Sequence, residues 1–157
     1  MSRDNVGDVV APPDSVARAL IEFDRAILLK PRDSEGGLEE RLAPLIVLET
    51  TGPIGEGLDN AGFGAARFDP QGHLQIDASQ PTLYTDRSTI TIRNVEYVQI
   101  SYHWWFPPMR TDSAATARTS GGVRITLGED GFPLLWEVLG SRGDTKTIFV
   151  SASLERA

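Results

Sequence analysis

The stretch Val95 to Pro108, VEYVQISYHWWFPP, predicts one long β-strand with two different faces. Side chains alternate across a strand, so every second residue shares a face. One face is apolar and is predicted to join the core: Val98, Ile100, Tyr102, Trp104 and Phe106. The other face mixes hydrogen-bonding groups with aromatic rings, as a ligand wall or an interface does: Tyr97, Gln99, Ser101, His103 and Trp105.

The size of the chain bounds its organisation. Its 157 residues correspond to one domain, and folding at this length hides about 70% of the surface that the unfolded chain exposes. Residues 1–13 are polar and end in Ala11-Pro12-Pro13, so we expect a flexible N-terminal arm there. Residues 14–157 are expected to form a single α+β domain.

An amphipathic helix is predicted directly after this arm. Asp14 or Ser15 can cap its N-terminus by accepting the free amide hydrogens of the first turn. Pro31 ends the predicted helix near Leu29, because proline disfavours helical geometry in the preceding residue. The apolar residues of the helix recur at helical spacing on one face: Val16, Leu20, Phe23 and Ile27.

The remainder of the chain is predicted to be mainly β. Short segments are apolar or alternate between apolar and polar residues, and Asp130-Gly131 is a strong hairpin signal. The predicted strands are 44–49, 65–68, 73–77, 88–93, 96–106, 123–127, 134–139 and 147–154. The fold class is therefore α+β, with the N-terminal amphipathic helix packed on a curved, mainly antiparallel sheet of about five to seven strands.

Composition excludes several classes of function. The chain has no cysteine, which removes disulfides, thiolate metal sites and cysteine nucleophiles. A net charge of −7 argues against nucleic acid as a partner, because that surface needs a basic patch. No segment approaches the roughly 20 apolar residues of a membrane helix, and residues 1–15 hold no apolar run of signal-peptide length. We expect a soluble, cytoplasmic protein without membrane insertion, unless an export signal has been removed.

No metal or cofactor is predicted. His73 and His103 are the only histidines, and no zinc-binding spacing joins them to each other. The glycine-rich segment 51–64 fits neither a phosphate-binding loop nor a dinucleotide fingerprint.

The polar and aromatic face of the stretch from Val95 to Pro108 suggests a non-enzymatic binding or assembly module, such as an accessory subunit. Tryptophan and tyrosine are favoured at interfaces because they supply large contact areas at low entropic cost. A protein partner or a homo-oligomer is expected, and a small-molecule ligand stays open. The same rings could instead form a second small core under the loops 51–64 and 107–121. The predicted binding residues are Tyr97, Gln99, Ser101, His103, Trp105 and Arg124.

The alternative function is a small hydrolase or lyase with a pocket on the sheet face. His103 would be the general acid or base, supported by Glu137. Ser101 is a poor nucleophile for it, since strand geometry separates Cβ atoms two residues apart by about 7 Å. The chain also has no G-x-S-x-G motif. Whether His103 and Glu137 share a face does not follow from the sequence.

Overall fold

The computed structural model describes residues 26–30, 37–49, 62–107, 120–140, 145–152 and 154. Contacts between residues divide the chain into two compact units, Met1–Gly62 and Phe63–Ala157. The predicted arm at 1–13 lies outside the described residues, and the single domain over 14–157 stays a prediction.

The first unit contains a small two-stranded sheet and a short helix. Strand β1 is Ala26–Leu29, helix α1 is Leu38–Leu42 and strand β2 is Ile46–Glu49. Strands β1 and β2 are antiparallel, with residue 26 opposite residue 49 and residue 29 opposite residue 46. Leu42 and Ile46 are buried. The strand predicted over 44–49 is therefore present, although it begins at Ile46.

The predicted N-terminal helix is wrong over its last turn, and residues 14–25 lie outside the described residues. Ala26–Leu29 forms β1 instead. The segment AILL is a short apolar run, which periodicity alone cannot distinguish from part of a buried helix. The matching run in β2 pairs with it as an antiparallel neighbour.

The second unit begins with a hairpin. Strand β3 is Ala65–Phe68 and strand β4 is Leu74–Asp77. Between them, Asp69 accepts hydrogen bonds from the backbone amides of Gln71 and His73 at 2.9 and 2.7 Å. This is the turn that Asp69-Pro70-Gln71-Gly72 predicts.

A five-stranded antiparallel sheet forms the rest of the second unit. Its strands lie side by side in chain order, and each is antiparallel to the next. The mainly antiparallel sheet is therefore confirmed, whereas no curled sheet occurs among the described residues. Their only helix is the five-residue α1, so the described structure is mainly β. The strands are β5 Tyr84–Ile92, β6 Val95–Trp105, β7 Ser120–Leu127, β8 Pro133–Leu139 and β9 Thr145–Val150.

One face of this sheet carries the core. Paired residues of neighbouring strands share a face, and Ile100 lies opposite Ile125. Ile100, Tyr102 and Ile125 are each no more than 1% exposed. Phe63 extends the apolar layer at one end, with its ring centroid 6.3 Å from that of Trp104. Of the residues predicted to join the core, Ile100 and Tyr102 are buried, whereas Val98, Trp104 and Phe106 are partly exposed. We call this side of the sheet the core face.

A tight turn joins β5 to β6. Ile92 pairs with Val95, which leaves Arg93 and Asn94 as a two-residue loop. Both have positive φ angles, 51° and 64°, as the type I′ hairpin turn requires. No helix among the described residues is long and apolar enough to cross a membrane.

Candidate functional site

The opposite side of the five-stranded sheet holds the predicted site, and we call it the Gln99 face. Ser101 lies opposite Arg124, and Arg124 lies opposite Glu137 on the next strand. His103 lies opposite Tyr84 on one side and Gly122 on the other. The register therefore brings the predicted residues of β6 onto one face with Arg124, as the hypothesis requires, and places Glu137 there too.

Two groups of hydrogen-bonded side chains occupy the centre of the Gln99 face, and together we call them the polar network. Gln99 Nε2 donates to Thr126 Oγ1 at 3.0 Å. Arg124 donates from Nε and Nη2 to the two carboxylate oxygens of Glu137, both at 2.6 Å. Thr145 adds a hydrogen bond to Glu137 Oε1 at 3.2 Å. These groups satisfy one another, which is what permits polar side chains to be buried here.

The charges of this network are fixed by the ion pair. The hydrogen bonds from Arg124 hold the pKa of Glu137 below its usual range, although burial opposes this shift. The same hydrogen bonds raise the pKa of Arg124. Glu137 is therefore an ionised carboxylate near neutral pH, and it does not accept a proton there.

Three rings meet at one end of the Gln99 face, and we call Tyr84, His103 and Trp105 the aromatic cluster. Tyr84 and Trp105 stack edge to face, with ring centroids 5.0 Å apart and planes at 77°. His103 and Trp105 have centroids 6.3 Å apart and planes at 32°. All three side chains are partly buried. Edge-to-face contacts of this kind hold rings in a defined geometry.

Hydrogen bonds anchor this cluster to strand β3. Tyr84 Oη accepts from the backbone amide of Ala66 at 2.8 Å. The carbonyl oxygen of Trp105 accepts from the amide of Gly64 at 3.0 Å. Glycine is required at 64, because a Cβ atom there would overlap the carbonyl oxygen of Asp77. The Tyr84 ring is thus tied to β3 through its hydroxyl, and the backbone of Trp105 is tied to Gly64, the residue before β3.

The third ring of the cluster is the imidazole of His103. Among the described residues it contacts the Trp105 ring and makes no hydrogen bond. Gly122 lies opposite, and a Cβ atom there would come within 3.0 Å of His103 Nδ1. The glycine therefore lets the ring lie close to the backbone of β7.

The candidate catalytic pair does not meet. His103 and Glu137 lie on the same face, but they are two strands and two residues apart, which corresponds to about 12 Å between Cα atoms. Arg124 holds both carboxylate oxygens of Glu137. A direct hydrogen bond from Glu137 to orient His103 is therefore not formed, and the hydrolase or lyase hypothesis gains no support.

Tyr97 shares the face but not the cluster. It pairs with Ile90 at the other end of β6, eight residues and about 27 Å from Trp105. Tyr84, by contrast, is in the cluster although the sequence analysis did not select it. Tyr84 lies on the same face as Asp86 and Ser88. Polar residues occupy both faces of this segment, so the sequence shows no clear alternation from which Tyr84 could have been predicted.

The described residues contain no group of three or more histidine, aspartate or glutamate side chains that could hold a metal ion. The prediction that no cofactor is bound stays a prediction. No family model, curated protein or solved structure matches this chain.

Proposed function

We propose that the protein is a non-enzymatic binding or assembly module, an accessory subunit that docks an aromatic side chain of a protein partner at the aromatic cluster. The observation that carries this proposal is the group of three partly buried rings, one of which is an imidazole that makes no hydrogen bond to another described residue. Aromatic side chains in such settings supply much of the energy of protein interfaces.

The polar network supports the proposal because its side chains bind one another within the sheet. Gln99 and Glu137 are each 8% exposed and have partners within the sheet. They therefore brace the centre of the face rather than offer free groups to a ligand. We therefore place docking at the aromatic cluster rather than at the centre of the face.

Rigidity of the cluster favours binding over mere packing. Trp105 lies at the end of an eleven-residue strand, and Tyr84 is anchored to β3. Rings held in place before a partner arrives lose little side-chain entropy when it binds. Sites built on strands also hold their geometry better than sites on loops.

The chemistry of the cluster points to a tyrosine-like group. Trp105 and Tyr84 offer ring surfaces for edge-to-face or offset stacking. A neutral imidazole offers one hydrogen-bond donor and one acceptor, so His103 can bind a hydroxyl beside the stacked ring. A phenol therefore matches the cluster better than a purely apolar ring.

A titration with p-cresol, the side chain of tyrosine, tests this proposal. We expect two-dimensional NMR spectra of the full chain to show saturable shifts at the His103 ring and the Trp105 indole. Trp105→Ala should abolish them, because it removes the ring that contacts both neighbours. Phe132→Ala is the matched control, since Phe132 is 70% exposed in a hairpin turn and should leave binding unchanged.

A second variant separates hydrogen bonding from stacking. His103→Phe keeps a ring but removes the imidazole nitrogens, so we expect p-cresol to bind about tenfold more weakly, the value of one hydrogen bond. Toluene, which has no hydroxyl, should bind both proteins equally. Absence of saturable shifts, or identical shifts in folded Trp105→Ala, would show that the cluster is only a packing element.

A further inference from the structure

Ser101 carries a hydroxyl that has no partner in the described part of the chain. The residue is 8% exposed, and its Oγ makes no hydrogen bond to another described residue. Polar side chains buried to this extent are normally hydrogen-bonded. The only fully buried side-chain polar atom without a partner among the described residues is Trp136 Nε1. The Ser101 hydroxyl is therefore open to solvent, and a ligand can reach it.

Two charged residues flank Ser101 on the Gln99 face. Asp86 of β5 lies opposite it on one side, and Arg124 of β7 lies opposite it on the other. Side chains that face each other in antiparallel strands have Cβ atoms about 5 Å apart. A group that binds over Ser101 is therefore within reach of both neighbours. We call Asp86, Ser101 and Arg124 the Ser101 row.

Both ends of the Ser101 row can form further hydrogen bonds. Arg124 binds Glu137 through Nε and Nη2, whereas its Nη1 makes no hydrogen bond to a described residue. The Arg124 side chain is 33% exposed. Asp86 is exposed, and its carboxylate has no partner among the described residues. The row thus offers a donor at one end, an acceptor at the other, and a hydroxyl between them that can act as either.

The charges of the row favour a neutral ligand. Glu137 neutralises the guanidinium of Arg124, and Asp86 adds a further carboxylate on the same face. An anion would be repelled by this excess of negative charge. A cation would bind Asp86 but leave the Nη1 donor of Arg124 unused. The peptide group is neutral and carries one N–H donor and one carbonyl acceptor, so it matches the row.

The Ser101 row lies directly beside the aromatic cluster. Ser101 and His103 are two residues apart on one face of β6, which places their Cβ atoms about 7 Å from each other. A docked aromatic residue carries its own peptide groups one side-chain length from its ring. In one direction along the sheet this length reaches Ser101, and in the other direction β6 ends at Trp105.

We propose that the Ser101 row binds the peptide groups that flank the docked aromatic side chain. The carbonyl oxygen accepts hydrogen bonds from Arg124 Nη1 and Ser101 Oγ, and the amide donates to the carboxylate of Asp86. The ligand is then an aromatic residue within a polypeptide chain, recognised by its main chain as well as by its ring. This inference rests on the proposed docking at the aromatic cluster.

N-acetyltyrosine amide tests this inference, because it is the phenol of p-cresol with a peptide group on each side. We expect NMR titration of the full chain to give it a dissociation constant at least about tenfold lower than that of p-cresol, the value of one hydrogen bond. Equal constants for the two ligands would overturn the inference and leave docking of the ring in place. Absence of saturable binding by p-cresol would instead contradict the proposed function, and this inference with it.

Ser101→Ala tests the central hydroxyl. We expect it to remove most of the advantage of N-acetyltyrosine amide over p-cresol, and to leave p-cresol binding unchanged because Ser101 lies outside the aromatic cluster. Thr89→Val is the matched control, since it removes a hydroxyl from an exposed position on the opposite face of β5. The full advantage in folded Ser101→Ala, or its loss in folded Thr89→Val, would contradict the assignment.

N-acetyltyrosine tests the charge preference, because its carboxylate replaces the neutral amide. We expect it to bind more weakly than N-acetyltyrosine amide, since Asp86 and Glu137 repel an anion. Asp86→Asn should strengthen the binding of N-acetyltyrosine and weaken that of the amide, which loses a charged acceptor. Tighter binding of N-acetyltyrosine than of the amide by the wild-type chain would show an anion site and refute recognition of a peptide group.

Discussion

Arg124 and Glu137 form a two-bond ion pair on the Gln99 face. Both N···O distances are 2.6 Å, and Thr145 adds a third hydrogen bond to the carboxylate. Removing one member of such a pair leaves the other partly buried without its partner. We therefore assign the pair a bracing role between β7 and β8, in support of the face on which the aromatic cluster lies.

The ion pair predicts a pH-dependent contribution to stability. Because Arg124 lowers the pKa of Glu137 below its usual 4.5, the folded state favours the ionised carboxylate. This stabilisation is complete above pH 4.5 and disappears as the pH falls through the lower, folded-state pKa. We expect the melting temperature of the wild-type chain to exceed that of Glu137→Gln at neutral pH, and the gap to close in acid.

The difference between the two proteins is the quantity to measure, because other carboxylates also titrate. Hydrogen bonds from His73 and Ser79 lower the pKa values of Asp69 and Asp77 as well, so both proteins lose stability in acid. A melting-temperature gap that stays constant from neutral to acidic pH would show that the ion pair does not supply this stability.

At the scale of single residues, sequence alternation predicted the faces of β6 correctly but not the contacts made across strands. Ile100 and Tyr102 fall in the core, and Gln99 and His103 fall on the opposite face. The pairing of Arg124 with Glu137 depends on the register of β7 against β8, which includes an irregularity next to Leu127. A one-residue slip would have sent these side chains to opposite faces.

At the scale of elements, the turn between β5 and β6 carries a measurable cost. Arg93 has a φ angle of 51°, which is unfavourable for a side chain with a Cβ atom. Asn-Gly is the pair best suited to this turn. The double change Arg93→Asn with Asn94→Gly should therefore stabilise the protein by about 1 kcal/mol.

Urea denaturation measures this effect on the turn. A higher midpoint with an unchanged slope is expected, since the native surface stays the same. The matched control is the same Asn-Gly pair at Glu129 and Asp130, which lie in the β7–β8 turn without positive φ angles. A gain of equal size in the control would show that the effect does not come from the geometry of Arg93 and Asn94.

The elements found from the sequence were those with strong local signals. The hairpin turn at Asp130-Gly131 and the strands beside it are present. The strand β7 begins at Ser120, three residues before its predicted start. The prediction began later because two consecutive glycines, Gly121 and Gly122, are typical of a loop. Their presence in the strand has a tertiary cause, since a Cβ atom at Gly121 would lie 2.7 Å from the Trp104 ring. Contacts with residues distant in sequence therefore determine where β7 begins, which local sequence preference does not predict.

At the scale of the whole molecule, the proposed docking site belongs to the second unit, Phe63–Ala157. The aromatic cluster on β5 and β6 is the proposed docking site for a partner. The polar network lies on the same face and involves residues of β6, β7, β8 and, through Thr145, β9.

The measurement that tests the proposed function most directly is native mass spectrometry of tagged protein recovered from its own cells. The account predicts a defined additional protein bound to the wild-type chain and to Phe132→Ala, and lost from folded Trp105→Ala. A wild-type chain recovered only by itself, as monomer or dimer, would contradict the account, as would equal retention of the additional protein by all three.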